Sequence, residues 1–164
     1  MGAAEWPQHP GVGESEPAMD SRLTERVGAF MSEHDRFARS LGIELLDLKP
    51  GHSRAGMTLT PDMVNGLGLP HGAVIFALAD FAFAAACNSY GEAAVALSMD
   101  IHFLASPAPG SRLEAHAAEV RSGRKTGLYR MTVTDAQGEL VAELHGMSYR
   151  KGTRFLESAV EELA

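Results

Sequence analysis

Ala73-Val74-Ile75-Phe76-Ala77-Leu78-Ala79-Asp80-Phe81-Ala82-Phe83-Ala84-Ala85-Ala86-Cys87 is the most apolar stretch of the chain, and one acid stands inside it. The run is too long for a typical strand and predicts a single buried helix. A carboxylate left without a partner in such surroundings costs on the order of several kcal/mol. Asp80 therefore faces a wet seam, pairs with an arginine from elsewhere, or is a working group, since acids with displaced pKa values gather at functional sites.

Downstream of this helix, which Gly91 should end within a span of 72–90, Val95, Leu97, Met99, Ile101 and Phe103 alternate with Ala96, Ser98, Asp100, His102 and Leu104. That alternation marks a strand. After the Pro107-Ala108-Pro109-Gly110 turn, strands are expected near 111–121, 127–134 and 140–149, and the short links favour an antiparallel meander. Upstream, residues 43–49 and 54–59 read as a hairpin about Pro50-Gly51. Before it, Leu23, Val27, Phe30, Met31, His34, Phe37, Ala38 and Leu41 recur at helical spacing, predicting an amphipathic helix over 21–41 stopped by Gly42. Residues 1–19, with Pro7, Pro10 and Pro17, have little to bury and read as a flexible arm. No βαβ alternation appears, so the expected class is α+β, with a curved antiparallel sheet of about six strands wrapped around the central helix.

The 164 residues, 45% hydrophobic and 21% charged, suit one domain, taken as residues 20–164. A net charge of −7 argues against a nucleic-acid partner, because phosphate contacts need a surplus of lysine and arginine on one face. Asp80 interrupts the only candidate membrane span, and no secretory signal is expected at the N-terminus. Cys87, the single cysteine, reads as a small buried hydrophobe compatible with a reducing, cytoplasmic compartment.

Just before the apolar helix, Asn65-Gly66-Leu67-Gly68-Leu69-Pro70-His71-Gly72 forms a glycine-rich loop. The first amides of a helix have no intrahelical acceptor and carry the positive end of its dipole, so the Gly72 N–H is suited to polarise a carbonyl oxygen; an ordinary turn and cap explains the same residues. Gly72 and Asp80 are roughly 12 Å apart along one helix, too far for one carbonyl to touch both. Antiparallel packing of the same helix from a second subunit would bring them together, which hints at a two-fold dimer with two composite sites.

Asn65, His71-Gly72, Leu78-Ala79-Asp80, Ala86-Cys87-Asn88-Ser89 and Gly123-Arg124-Lys125-Thr126 together resemble the signature of the hotdog-fold acyl-CoA thioesterases, especially the phenylacetate-degradation type. The similarity spans roughly residues 40–150. It implies a hotdog fold and hydrolysis of an acyl-CoA, with Asp80 as general base or nucleophile and the Gly72 N–H of the partner subunit holding the thioester oxygen. Asn65 would hold the attacking water or the carbonyl. Arg121, Ser122, Gly123, Arg124, Lys125 and Thr126 would lie where coenzyme A is bound, although a solvated hairpin tip reads the same way. The resemblance implies no cofactor and no metal, and a homodimer with intersubunit sites assembled as a dimer of dimers. One departure is Phe81, at a position where the family often carries a small hydroxyl residue. Phe81 and Phe76 could line an acyl pocket for an aromatic or medium-length group, or simply pack the core.

Competing signals are weaker. His71 reads as a loop-orienting or capping residue. The chain contains no G-x-S-x-G elbow and no zinc spacing, and Ser122-Gly123-Arg124-Lys125 matches an acylase pattern while occupying a turn rather than a helix. Two alternatives remain. A hotdog acyl-thioester dehydratase would need a histidine and an acid at one site, and His71 is poorly placed for that. A non-catalytic acyl-CoA binding module would use Asp80 only to fix a helix pair.

Overall fold

The computed structural model describes residues 21–158; the expected arm over 1–19 lies outside them. In chain order the elements are α1 (Ser21–His34), α2 (Arg36–Ser40), β1 (Glu44–Lys49), β2 (His52–Thr58), a 3-10 turn (Pro61–Met63), α3 (Gly72–Asn88), β3 (Glu92–Phe103), β4 (Arg112–Ser122), β5 (Thr126–Asp135) and β6 (Leu140–Arg154). The six strands form one sheet in the order β1-β2-β4-β5-β6-β3, with every neighbouring pair antiparallel. This is the expected α+β hotdog architecture: α3 lies along the concave face of the sheet and packs against strands across its width.

The core sits between α3 and that face. Leu78, Ala82, Phe83 and Ala86 are buried against Met57, Leu113, Tyr129, Met131, Val133 and Leu144 from β2, β4, β5 and β6. The Phe83 and Tyr129 rings meet edge-on at 5.3 Å between centroids, a favoured aromatic arrangement. The alanines of α3 allow the sheet to approach closely, and Ser53 on β2 ties the two layers by donating to the Ala82 carbonyl at 2.6 Å. Asn88 ends α3 and starts β3, since its amide donates to the Ala84 and Ala94 carbonyls and its Oδ1 accepts from Ala94 N.

Three expectations are corrected. The helix expected over 21–41 is two helices, because Asp35 is extended (φ −73°, ψ 92°) and accepts from Ala38 N to start α2 afresh. The central helix ends at Asn88 rather than residue 90, with Ser89 as its C-cap. The four strands after α3 do not form one meander. β4, β5 and β6 do, but β3 pairs with β6 at the far edge, because the Pro107- and Pro109-containing link is no tight hairpin and carries the chain across to β2.

Candidate active site

Most of α3 is covered, but Ala73, Phe76, Asp80 and Ala84 recur at three and four residues and remain exposed or half-buried. Asp80 thus lies on the one stripe of α3 that the subunit leaves open. Among the described residues it has neither a hydrogen-bond nor an ion-pair partner. Partial burial raises its pKa above the ordinary carboxylate value, and the nearby Asp35 carboxylate raises it further. No arginine pairs with it among the described residues, so its ionised form is left without a neighbouring counter-charge.

The loop before α3 is built by Asn65 and His71. Asn65 Oδ1 accepts from Leu67 N at 2.9 Å and Leu69 N at 3.2 Å, closing the loop on itself. Its acceptor is therefore engaged and its amide N–H groups remain to donate. His71 caps α3, with Nδ1 accepting from Ala73 N at 3.1 Å and its carbonyl from Val74 N at 2.9 Å. Two of the first helical amides are thereby satisfied. The Gly72 N–H has no acceptor among the described residues. A Cβ at Gly72 would come within 2.9 Å of the Phe103 ring, so glycine here permits the β3 aromatic to close over the helix start.

The remaining expected residues separate into two environments. Phe81 is buried at 5% exposure within the core cluster, whereas Phe76 is half-buried on the Asp80 stripe. Arg121, Ser122, Arg124 and Lys125 are exposed where β4 turns into β5, with Gly123 and Thr126 half-buried and Gly123 N donating to the Thr126 carbonyl at 2.8 Å. Within one subunit no hydrogen bond or ion pair among the described residues joins these residues, Asn65 or the Gly72 helix start to Asp80. A cavity of about 460 Å³ lined by Leu23, Arg26, Tyr90, Gly91 and Arg154 lies at the other end of α3 from Gly72. Among the described residues no group of three or more His, Cys, Asp or Glu could hold a metal ion. Cys87 is buried and its thiol pKa is pushed up to about 12, which keeps it protonated and unreactive.

Asp35, Phe103, Arg150 and Glu119 are neighbours of these sites that the sequence reading did not single out. Each contributes through a contact between segments remote in the chain, and only the helix-breaking position of Asp35 left a local trace.

An antiparallel six-stranded sheet wrapped around one long helix is the architecture of the hotdog thioester hydrolases. The Thioesterase superfamily pattern matches residues 67–142. Acyl-coenzyme A thioesterase PaaI of Escherichia coli is 41% identical over 122 residues, covering 74% of this chain and 87% of that protein. The structure of the E. coli PaaI protein from the phenylacetic acid degradation operon superposes with a TM-score of 0.79 at 38% identity, covering 82% of this chain and 97% of that one. A Streptococcus mutans protein solved bound to acetyl CoA gives a TM-score of 0.66 at 28% identity, over 68% of this chain and 90% of that one. The chain belongs to the Thioesterase superfamily, and no helix among its described residues is long and apolar enough to cross a membrane.

Proposed function

We propose that the chain hydrolyses the thioester of an aromatic, phenylacetyl-like, or medium-chain acyl-CoA to the free acid and CoA, at sites shared between two subunits. The observation that carries this reading is Asp80: a half-buried carboxylate with no cation beside it, on the only open stripe of α3. Similarity to a PaaI acyl-coenzyme A thioesterase and to a protein solved with acetyl CoA supports the CoA ester as substrate. Phe76 on the same stripe supports an aromatic or medium-length acyl group.

The chemistry follows from the groups available. Ionised Asp80 takes a proton from water as the oxygen attacks the carbonyl, or attacks directly to give an anhydride that water then opens. In either case the developing oxyanion needs a donor, and the Gly72 N–H of the partner subunit is suited to it. Asn65, with Oδ1 engaged by its own loop, can only donate, toward the carbonyl or the water oxygen. The CoA thiolate is a good leaving group, so neither a metal nor a strong acid is required.

Subunit sharing is supported by β3. It is an edge strand that pairs only with β6 among the described residues, yet Val95, Leu97 and Phe103 are 49%, 57% and 52% exposed. A long apolar edge of this kind is a pairing surface for a second copy. Thiol release from aromatic and aliphatic acyl-CoAs identifies the acyl group. Mixing two inactive variants, Asp80→Asn and Gly72→Pro, tests the shared site: random heterodimers keep one intact site in two, restoring about a quarter of the activity. Absence of recovery after verified subunit exchange would show both groups acting within one subunit.

A further inference from the structure

The turn between β4 and β5 stands on a buried arginine. Arg150 on β6 is 8% exposed. Its guanidinium pairs with Glu119 at 3.1 Å, each side chain being 10% exposed, donates to Ser122 Oγ at 2.8 Å and donates to the Gly123 carbonyl. The Arg150 backbone N–H also donates to the Lys125 carbonyl at 2.9 Å. One residue therefore grips the turn at 122, 123 and 125. Glu119 is held in turn by the Tyr90 hydroxyl at 2.5 Å and the Tyr129 hydroxyl at 3.1 Å, and the Tyr90 ring lies 5.8 Å from the guanidinium carbon.

A solvated hairpin tip needs no such foundation. Burying a charge pair is unfavourable unless most of its hydrogen-bonding groups are satisfied, and here the satisfied partners include the turn itself. The planar fork of arginine engages Glu119, Ser122 and Gly123 together, which a lysine ammonium cannot reproduce. At the tip of this fixed base Arg124 and Lys125 are exposed cations, with Lys125 Nζ 5.9 Å from the Tyr149 ring centroid.

We propose that Arg150 is a positioning residue for coenzyme A recognition: it locks the β4–β5 turn so that Arg124 and Lys125 are preorganised for the phosphates of the nucleotide end. This rests on the reading of the turn as the CoA site. Preorganised cations lose less freedom on binding, so the gain is in affinity for the CoA portion and not in bond cleavage.

The test compares one acyl group carried on CoA and on N-acetylcysteamine, which lacks the nucleotide, using the full-length protein. Arg150→Lys keeps a charge opposite Glu119 and should raise KM for the acyl-CoA about tenfold, with kcat and both constants for the short thioester within about twofold of wild type. If Arg150→Lys fails to fold, the neutral pair Arg150→Gln with Glu119→Gln carries the same expectation. Equal losses on the two thioesters, or an unchanged acyl-CoA KM, would overturn the proposal. The double variant Arg124→Ala, Lys125→Ala separates the two ideas. If it raises the acyl-CoA KM while Arg150→Lys does not, only the positioning role falls; if it has no effect, the reading of the turn falls with it.

Discussion

The carboxylates of Asp35 and Asp80 stand close enough for the first to oppose ionisation of the second, although one caps a short helix and the other lies in mid-helix. The break between α1 and α2 creates this pairing. Asp35→Asn retains a good N-cap and removes the charge. Asp80 should then ionise more readily, so the acid limb of the kcat/KM profile moves to lower pH. An unmoved limb would mean that the Asp35 charge is not felt in the assembled enzyme.

Asp80 should also set a trade between stability and activity. Its pKa in the folded state is raised, so the fold favours the protonated form, and that advantage is lost as pH rises through the folded-state pKa. Asp80→Asn, which mimics the neutral form, should therefore be more stable than wild type at neutral pH while turnover falls by about a thousandfold or more. Thermal unfolding followed down to about pH 3 should show the stability gap closing as wild-type Asp80 takes up its proton. A variant that unfolds at neutral pH would assign Asp80 a structural role instead.

Removing the Gly72 amide proton is possible without breaking α3. Gly72 is the first helical residue, where proline is tolerated, and His71 before it is already extended (φ −70°, ψ 130°). Gly72→Pro and Gly72→Ala both place a Cβ against the half-exposed Phe103 ring, which can swing outward, but only the alanine variant keeps the N–H. We expect Gly72→Pro to lose roughly a hundredfold in kcat relative to Gly72→Ala. Equal rates for the pair would remove the amide from the mechanism.

The exposed edge of β3 should be the seam of the catalytic assembly. Leu97, 57% exposed, sits at a bulge in the β3–β6 register between Ala96 and Ser98. Leu97→Asp should leave the subunit folded, shift sedimentation toward monomer and reduce activity in parallel. A fully active monomer would contradict the shared site.

Much of the fold was readable locally. Alternation at Val95 to Phe103 marked β3, and Pro50-Gly51 marked the hairpin, where Gly51 indeed takes φ 72°. Pairing begins directly after that turn, with Lys49 opposite His52, so β2 starts two residues earlier than its apolar pattern. β6 likewise runs on to Arg154 because Glu92 of β3 pairs with it there, through residues carrying no apolar alternation. Of the candidate site, Asp80 and the glycine-rich loop before α3 stood out in the sequence because an acid in an apolar helix and glycines before a helix are anomalies visible without three-dimensional information. Arg150 was not, since one arginine at the end of a strand looks like any solvated cation until its neighbours are known.

By itself, then, the amino-acid order determined the buried helix, the strands that cover it and the acid displaced into it, since periodicity and burial cost are properties of neighbouring residues. Only the tertiary structure decided that β3 would cross to the far edge, that the Asp35 charge would be felt at Asp80, and that Arg150 would carry the β4–β5 turn. Those outcomes depend on how the sheet closes around α3, where contacts between segments remote in the chain compete and the best-packed arrangement wins.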